Sequence, residues 1–468
     1  MGVTNSRKEA DILQKRASLR ISIKPEQILC LGFLLAILAG GMLLALPVSS
    51  ADGRSIGLLS GLFTATSCVC VTGLTIVDAG TQLSVFGQIV MLCLIQLGGL
   101  GFMAFATLIM AALGRRISLK GRMLLRDSMN QTSLSGMVRL SLVFFLIAVV
   151  IETAGALLLM VRLIPLYGVK CGIWYSFFTA VSAFCNAGFD LFGSWQSLTH
   201  LAGEPMVLLV LCALIILGGL GFSVILECLH HRFRWRSFSL HAKLVLLISS
   251  ILLVLGMVLT LVLEWSNPAT LAQEGLGFFD RLTNAFFQSV TLRTAGFASI
   301  DQSALTDSSK LLSCLFMFVG ASSASTGGGV KTTTAAMLLL VMWSVIRGRE
   351  RITVFGRELS AATAKRAVTI VLIGVLMVIL CTCLISTLEK EKDFELIDLL
   401  YEAVSAFSTT GLSSVSTPRL SAASHILLMP LMYLGRVGPL TLALALARWL
   451  ENSALGRVRF PEEKIMIG

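Results

Sequence analysis

The chain has 468 residues, 56% of them hydrophobic and only 13% charged, with a mean hydropathy of +0.87. A water-soluble fold of this size needs far more polar surface, so that class is excluded. The net charge of +11 would fit a nucleic-acid binder only if it formed a patch; its placement describes membrane topology instead.

Residues 1–26 form a cytosolic tail carrying Arg7, Lys8, Lys15, Arg16, Arg20 and Lys24. Repeat 1 occupies 27–114: an outer helix over 27–47, a short re-entrant helix over 58–70, and an inner helix over 85–110. The first apolar run has a basic flank and small residues at Ser49 to Ala51, as a cleaved signal peptide would. It is too long for a signal-peptide core and long enough to span a bilayer. Arg115, Arg116, Lys120, Arg122 and Arg126 follow.

Repeat 2 occupies 115–230, with helices over 139–162, 173–185 and 204–228. Repeat 3 occupies 231–348 and opens with Arg232, Arg234, Arg236 and Lys243, with helices over 243–264, 281–292 and 311–346. Arg347, Arg349, Arg351, Arg357, Lys365 and Arg366 straddle the start of repeat 4, which occupies 349–452, with helices over 367–387, 398–408 and 424–450. A tail over 453–468 ends in PEEKIMIG. Basic residues cluster between repeats and are scarce within them, which puts both termini and every inter-repeat loop in the cytoplasm.

Each re-entrant helix runs into one glycine. The segments read TSCVCVTGL to Gly73, SAFCNAGF to Gly188, SVTLRTAGF to Gly296 and SAFSTTGL to Gly411. Ser67, Ser182 and Ser405 stand six residues before their glycines, whereas Thr291 stands five before Gly296. One such glycine is an ordinary helix C-cap. Four at matched positions predict a membrane-buried turn per repeat, tolerated only where it lines a wet cavity. Carbonyls near Val71, Thr72 and Gly73, Asn186, Ala187 and Gly188, Thr294, Ala295 and Gly296, and Thr409, Thr410 and Gly411 are therefore expected to replace the water shell of an alkali cation. Asp78, Asp190 and Asp301 follow their glycines and are candidates for a negative outer mouth, with solvated loop acids as the bland alternative.

Two inner helices share LGGLGF, at 97–102 and 217–222, a small-residue pattern that lets backbones approach closely in lipid. The third holds Gly320, Ser322, Ser323, Ser325, Thr326, Gly327, Gly328, Gly329 and Lys331, a run that should unwind a helix up to Thr334. It is no phosphate loop, because Lys331 follows Val330 and the GK[ST] ending fails. Lys331 and Arg436 are cations inside apolar spans and should face water or protein. Arg436 lines the pore or pairs with Glu152; Arg293 should turn behind the glycine segment, toward carbonyls or a carboxylate. The eleven cysteines read as small core residues rather than disulfides or metal ligands. The five histidines are scattered, and no catalytic cluster is apparent.

The NAGF, TAGF and TTGL segments, the broken third inner helix and the fourth-repeat arginine resemble the Ktr/Trk/HKT superfamily of potassium transporters, nearest to its Ktr membrane subunit, over essentially the whole chain. The resemblance implies an all-α polytopic fold of four tandem M1-P-M2 units with pseudo-fourfold symmetry around a pore. It implies the four glycines in a potassium filter, Gly320 to Thr334 as an intramembrane gating loop, and Arg436 as a barrier beside it. Sodium-favouring plant members often carry serine at the first position, so Gly73 favours potassium. K+ is the transported ion, with uptake either down its gradient or coupled to Na+, and no organic cofactor is expected on this chain. A homodimer in the bacterial plasma membrane, docked on a cytosolic nucleotide-binding ring of the RCK type, completes the expectation, with the carboxylate of Gly468 at the dimer contact. An alternating-access carrier for another small cation or solute is the competing reading.

Overall fold

A computed structural model of the chain describes residues 25–101, 137–232, 234–349, 351–439 and 441–442. The basic residues expected in 1–24 and 115–126, the end of the first inner helix, the far end of the fourth and Gly468 lie outside them.

The described residues are mostly helical. In chain order they form α1 Pro25–Ala45, α2 Leu58–Cys70, α3 Val85–Leu100, α4 Met137–Tyr167, α5 Val169–Phe184, α6 Pro205–Leu220, α7 Phe222–His230, α8 Leu240–Glu264, α9 Phe278–Thr291, α10 Asp307–Phe318, α11 Thr332–Ile346, α12 Ala361–Leu388, α13 Leu396–Ser408 and α14 Ala422–Val437. A two-stranded hairpin, β1 Ile352–Val354 and β2 Arg357–Leu359, joins α11 to α12. Serine or threonine N-caps start five of these helices. Ser84, Ser239, Thr306, Ser360 and Ser421 each accept the amide three residues on, satisfying one orphan donor.

Stretches within α1, α4, α8 and α12 are long and apolar enough to cross a membrane, and the pair α6–α7 is a fifth candidate, bent by 98°. Their outward faces are apolar: Leu35, Leu146, Val262 and Leu376 are 57%, 62%, 72% and 65% exposed. Faces of that kind belong in lipid, and the chain is a membrane protein.

The four short helices α2, α5, α9 and α13 sit at the centre, and their last turns are completely enclosed. Buried small or hydroxylated residues such as Ala65, Ser67, Ser182, Ser289 and Ser405 alternate there with buried aromatics such as Phe184 and Phe407. Two glycines cap helices inside runs that the hydropathy reads as continuous. Gly101 (φ +85°) ends α3, and Gly221 (φ +92°) breaks α6 from α7; such left-handed backbone favours glycine.

Candidate functional site

The ends of α2, α5, α9 and α13 share one local geometry. Two residues before each glycine the backbone is left-handed, at Val71 (φ 57°), Asn186 (58°), Thr294 (69°) and Thr409 (54°). The next residue returns to negative φ, and the glycine turns positive again, at 96°, 70°, 83° and 91°. That alternation is available only with glycine or a tolerated αL residue.

Hydroxyl residues hold the turns. The amides of Thr72, Ala187, Ala295 and Thr410 donate to the carbonyls of Ser67, Ser182, Thr291 and Ser405 (2.7–3.0 Å). Ser67 and Ser405 Oγ also accept the amides of Gly73 and Gly411, both at 3.0 Å. Ser182 Oγ accepts from Phe189 instead, and Thr291 Oγ1 donates to the Phe297 carbonyl. Thr291 is thus the equivalent of the three serines, reached by a turn one residue shorter, which accounts for its offset spacing.

The four turns form a closed ring. A methyl group built on Gly73 would lie 2.6 Å from the Ala187 carbonyl oxygen; on Gly188, 2.8 Å from that of Ala295; on Gly296, 2.4 Å from that of Thr410; and on Gly411, 2.1 Å from that of Thr72. Each glycine therefore abuts the carbonyl that precedes the next glycine, and the fourth returns to the first. No side chain fits in that space.

On one side of the ring lies a cavity of about 250 Å³, lined by all four glycines and by Asp78, Asp190 and Asp301. The carboxylates are partly committed to their own loops. Asp78 accepts the amides of Gly80 and Ser194, Asp190 that of Phe192, and Asp301 the amide and hydroxyl of Ser303. The Asp78–Ser194 bond (2.7 Å) joins the loops that follow Gly73 and Gly188. Burial pushes the Asp190 carboxyl up to about 6; the Phe192 amide opposes that shift and the Asp78 charge adds to it.

On the other side lies the non-helical segment 319–331 between α10 and α11. It touches the left-handed residues, not the cavity. Methyl groups on Gly327 and Gly328 would meet Thr294 Oγ1 and Thr409 Oγ1, one on Gly329 would meet the Ser408 backbone, and one on Gly320 would meet the Gly328 carbonyl. Thr326 Oγ1 donates to the Phe184 carbonyl, and the Ser322, Thr326 and Gly329 amides to those of Gly219, Gly218 and Gly435. Ser325 Oγ donates to the Ser322 carbonyl, and Ser322 and Ser323 hydroxyls meet Thr332 and Thr333. Thr332–Thr334 are helical, so the segment ends at Lys331, three residues short of the predicted limit.

Two cations fasten this segment. Lys331 Nζ donates to the Gly327 carbonyl at 2.7 Å. Arg436 donates to the adjacent Thr326 carbonyl and to those of Gly98 and Gly99. Glu152 is held by Gln96 Nε2 (3.1 Å) and approached by Cys185 Sγ, so the carbonyls, not Glu152, receive Arg436. Arg293 is buried, but its Nε and Nη2 find no hydrogen-bond partner among the described residues, contrary to the expected carbonyl or carboxylate.

A further member of the LGGLG pattern emerges here. Methyl groups on Gly98, Gly218 and Gly435 would lie 2.3, 1.9 and 1.8 Å from the carbonyl oxygens of Val69, Phe184 and Phe407. Those carbonyls belong to residues four before Gly73, Gly188 and Gly411. LGRVG at 434–438 is thus the fourth-repeat version of LGGLG, with Arg436 where the others carry Gly99 and Gly219. The signal is present in the sequence once the two are aligned on the glycine that ends each helix, Gly438 (φ 95°) in this case.

The family model of a cation transport protein, TrkH, matches residues 37–456. The Ktr system potassium uptake protein B of Bacillus subtilis is 38% identical over 448 residues, 96% of this chain and 98% of that one. The potassium/sodium uptake protein NtpJ of Enterococcus hirae is 39% identical over 460 residues, 98% and 100% of the two chains. The crystal structure of the potassium transporter TrkH from Vibrio parahaemolyticus superposes with a TM-score of 0.70, covering 92% of this chain and 86% of that one at 18% identity, a likeness of fold.

Proposed function

We propose that this chain, which belongs to the TrkH family of cation transport proteins, is the potassium-translocating membrane subunit of a bacterial uptake system. Four M1-P-M2 units, bounded as in the sequence reading, surround the pore with pseudo-fourfold symmetry. Carbonyls of residues 71–73, 186–188, 294–296 and 409–411 form the filter. The observation that carries this reading is the closed ring, in which each glycine lies against the carbonyl preceding the next. Fixed carbonyl dipoles in a glycine-lined ring substitute for the hydration of a K+ ion. A carrier site would instead present side chains to its solute.

The cavity lined by Asp78, Asp190 and Asp301 is the outer vestibule, where negative charge concentrates cations. The segment Gly320–Lys331 is the gate. It closes the inner end of the ring, and Lys331 and Arg436 hold it there while adding positive charge. Both termini face the cytoplasm, consistent with the basic inter-repeat residues. By likeness to Ktr membrane subunits, the chain works as a homodimer on a cytosolic nucleotide-binding ring, with Gly468 at the dimer contact. Sodium dependence follows the potassium/sodium relative.

The test is potassium or rubidium uptake in cells lacking their own potassium systems. Wild type should restore growth at low potassium. Gly296→Ser, at matched expression, should lose selectivity over sodium, because its side chain has no room beside the Thr410 carbonyl. Unchanged affinity and selectivity in the variant would remove Gly296 from the filter and favour alternating access.

A further inference from the structure

A second cavity, of about 420 Å³, lies away from the ring, where α8, α11, β2 and α12 meet. Its size falls within the range of roughly 300–1,000 Å³ usual for small-ligand sites. Leu244, Met337, Leu340 and Ile370 give it apolar walls, while Arg366 and His241 bring nitrogen donors. Arg366 is exposed at the rim of this apolar hollow, and its guanidinium has no hydrogen-bond or ion-pair partner among the described residues, so it is free to meet an anion there. Glu227, whose charge acts on His241, is taken up by the amide and hydroxyl of Ser239.

The hollow opens among surfaces that belong in lipid. Leu339, Trp343 and Ile346 on α11 and Leu372 on α12 are all exposed. The Arg347 guanidinium lies 4.4 Å over the Trp343 ring, an aromatic–cation pair of the type that marks a membrane interface. The chain ends of α8 and α12 here are those next to the basic inter-repeat residues.

We propose that this cavity binds an anionic phospholipid of the cytoplasmic leaflet, its phosphate on Arg366 and His241 and the start of an acyl chain along Leu244, Leu340 and Ile370. A basic pocket between membrane helices on the cytoplasmic side is where such headgroups bind, and a soluble anion would leave the apolar walls wet. The site reaches the gate directly. Thr333, which lines it, has its hydroxyl 3.0 Å from that of Ser323 in the segment 319–331. Lipid occupancy therefore biases the position of that segment. This coupling rests on the gate assigned above; the binding itself does not.

The experiment uses the purified full chain in vesicles of phosphatidylcholine, with and without phosphatidylglycerol. Rubidium flux and native mass spectrometry of retained lipid are read in parallel. Wild type should retain phosphatidylglycerol and respond to it with about a fivefold change in flux. Arg366→Gln should lose the retained lipid and the response, and Leu340→Trp, which fills the cavity, should do the same. Arg347→Gln, a cation at the same interface but outside the lining, should respond as wild type does. Equal loss in Arg347→Gln would mean a general surface-charge effect and overturn the site. So would no retained lipid in wild type, whether the hollow stays empty or is covered by a second copy of the chain. Native mass spectrometry reads binding without transport, so absence of flux in all vesicles would count against the transport reading alone.

Discussion

At the scale of single residues, the ring is a problem of space and the vestibule a problem of charge. Asp190 illustrates the second. Its carboxyl titrates near 6, so it is mostly charged at neutral pH and loses that charge as the outer medium is acidified. Lowering external pH from about 7.5 to about 5.5 should weaken apparent potassium affinity by roughly three- to fivefold, the effect of losing one charge from the lining of a wet mouth. Asp190→Asn should show the weaker affinity at both pH values. Uptake kinetics in the rescued strain measure this, and a variant as pH-sensitive as wild type would assign the dependence to another group. The glycines and hydroxyls of the ring were legible in the sequence because each repeat carries the same device. Thr291 was legible only as an irregularity, since spacing cannot reveal a turn shortened by one residue. Arg293 was legible as anomalous, but its unpaired nitrogens were not, because partners are set by tertiary packing.

At the scale of elements, the decisive feature is where helices stop. Hydropathy reads through Gly101 and Gly221, because the residues beyond them are as apolar as those before. The backbone at both is left-handed, and φ leaves no mark on a hydropathy profile. The LGGLGF motif was read as close packing, and its first glycine, Gly98 or Gly218, does pack against the Val69 or Phe184 carbonyl; its third glycine caps α3 at Gly101 and breaks α6 from α7 at Gly221. In repeat 4 the same frame places Arg436 beside the segment 319–331. Its planar fork bridges the Thr326 carbonyl to that of Gly98, tying the segment 319–331, the proposed gate, to α3. Hydrogen bonds to a charged donor contribute about 1.5–3 kcal/mol each. Arg436→Gln should therefore raise rubidium flux by about tenfold or more. Arg436→Lys separates two causes. A lysine keeps the charge but lacks the fork, so flux near that of the glutamine variant supports bridging, whereas wild-type flux would assign the barrier to charge alone.

At the scale of the whole molecule, the ring closes only if neighbouring units lock together, and the fourth residue of α3, α10 and α14 marks three of the seams. Gln88 in α3 accepts from Trp174 of α5 at 2.7 Å. Lys310 in α10 pairs with Asp398 of α13 at 2.8 Å. His425 in α14 meets the Phe63 ring of α2 edge-on, with centroids 5.3 Å apart. At the remaining seam the fourth residue of α6 is the buried Leu208, and Asn284 of α9 instead donates to the Ala202 carbonyl just before that helix. One position carries four chemistries, which is why sequence comparison between repeats passes over it while the glycine turns stand out. Of these seams, Lys310–Asp398 is the most sensitive to a single change, because both groups are largely enclosed. Removing one partner strands a charge, at about 3–5 kcal/mol, whereas replacing both with apolar groups of similar volume is close to neutral. Lys310→Met should thus lower the thermal midpoint of the detergent-solubilised chain, and Lys310→Met with Asp398→Leu should recover most of it. Because the pair joins the third inner helix to the fourth re-entrant helix, the single variant should also loosen potassium selectivity before it unfolds. Equal melting of single and double variants would show that the seam is held by packing, with the ion pair incidental to it.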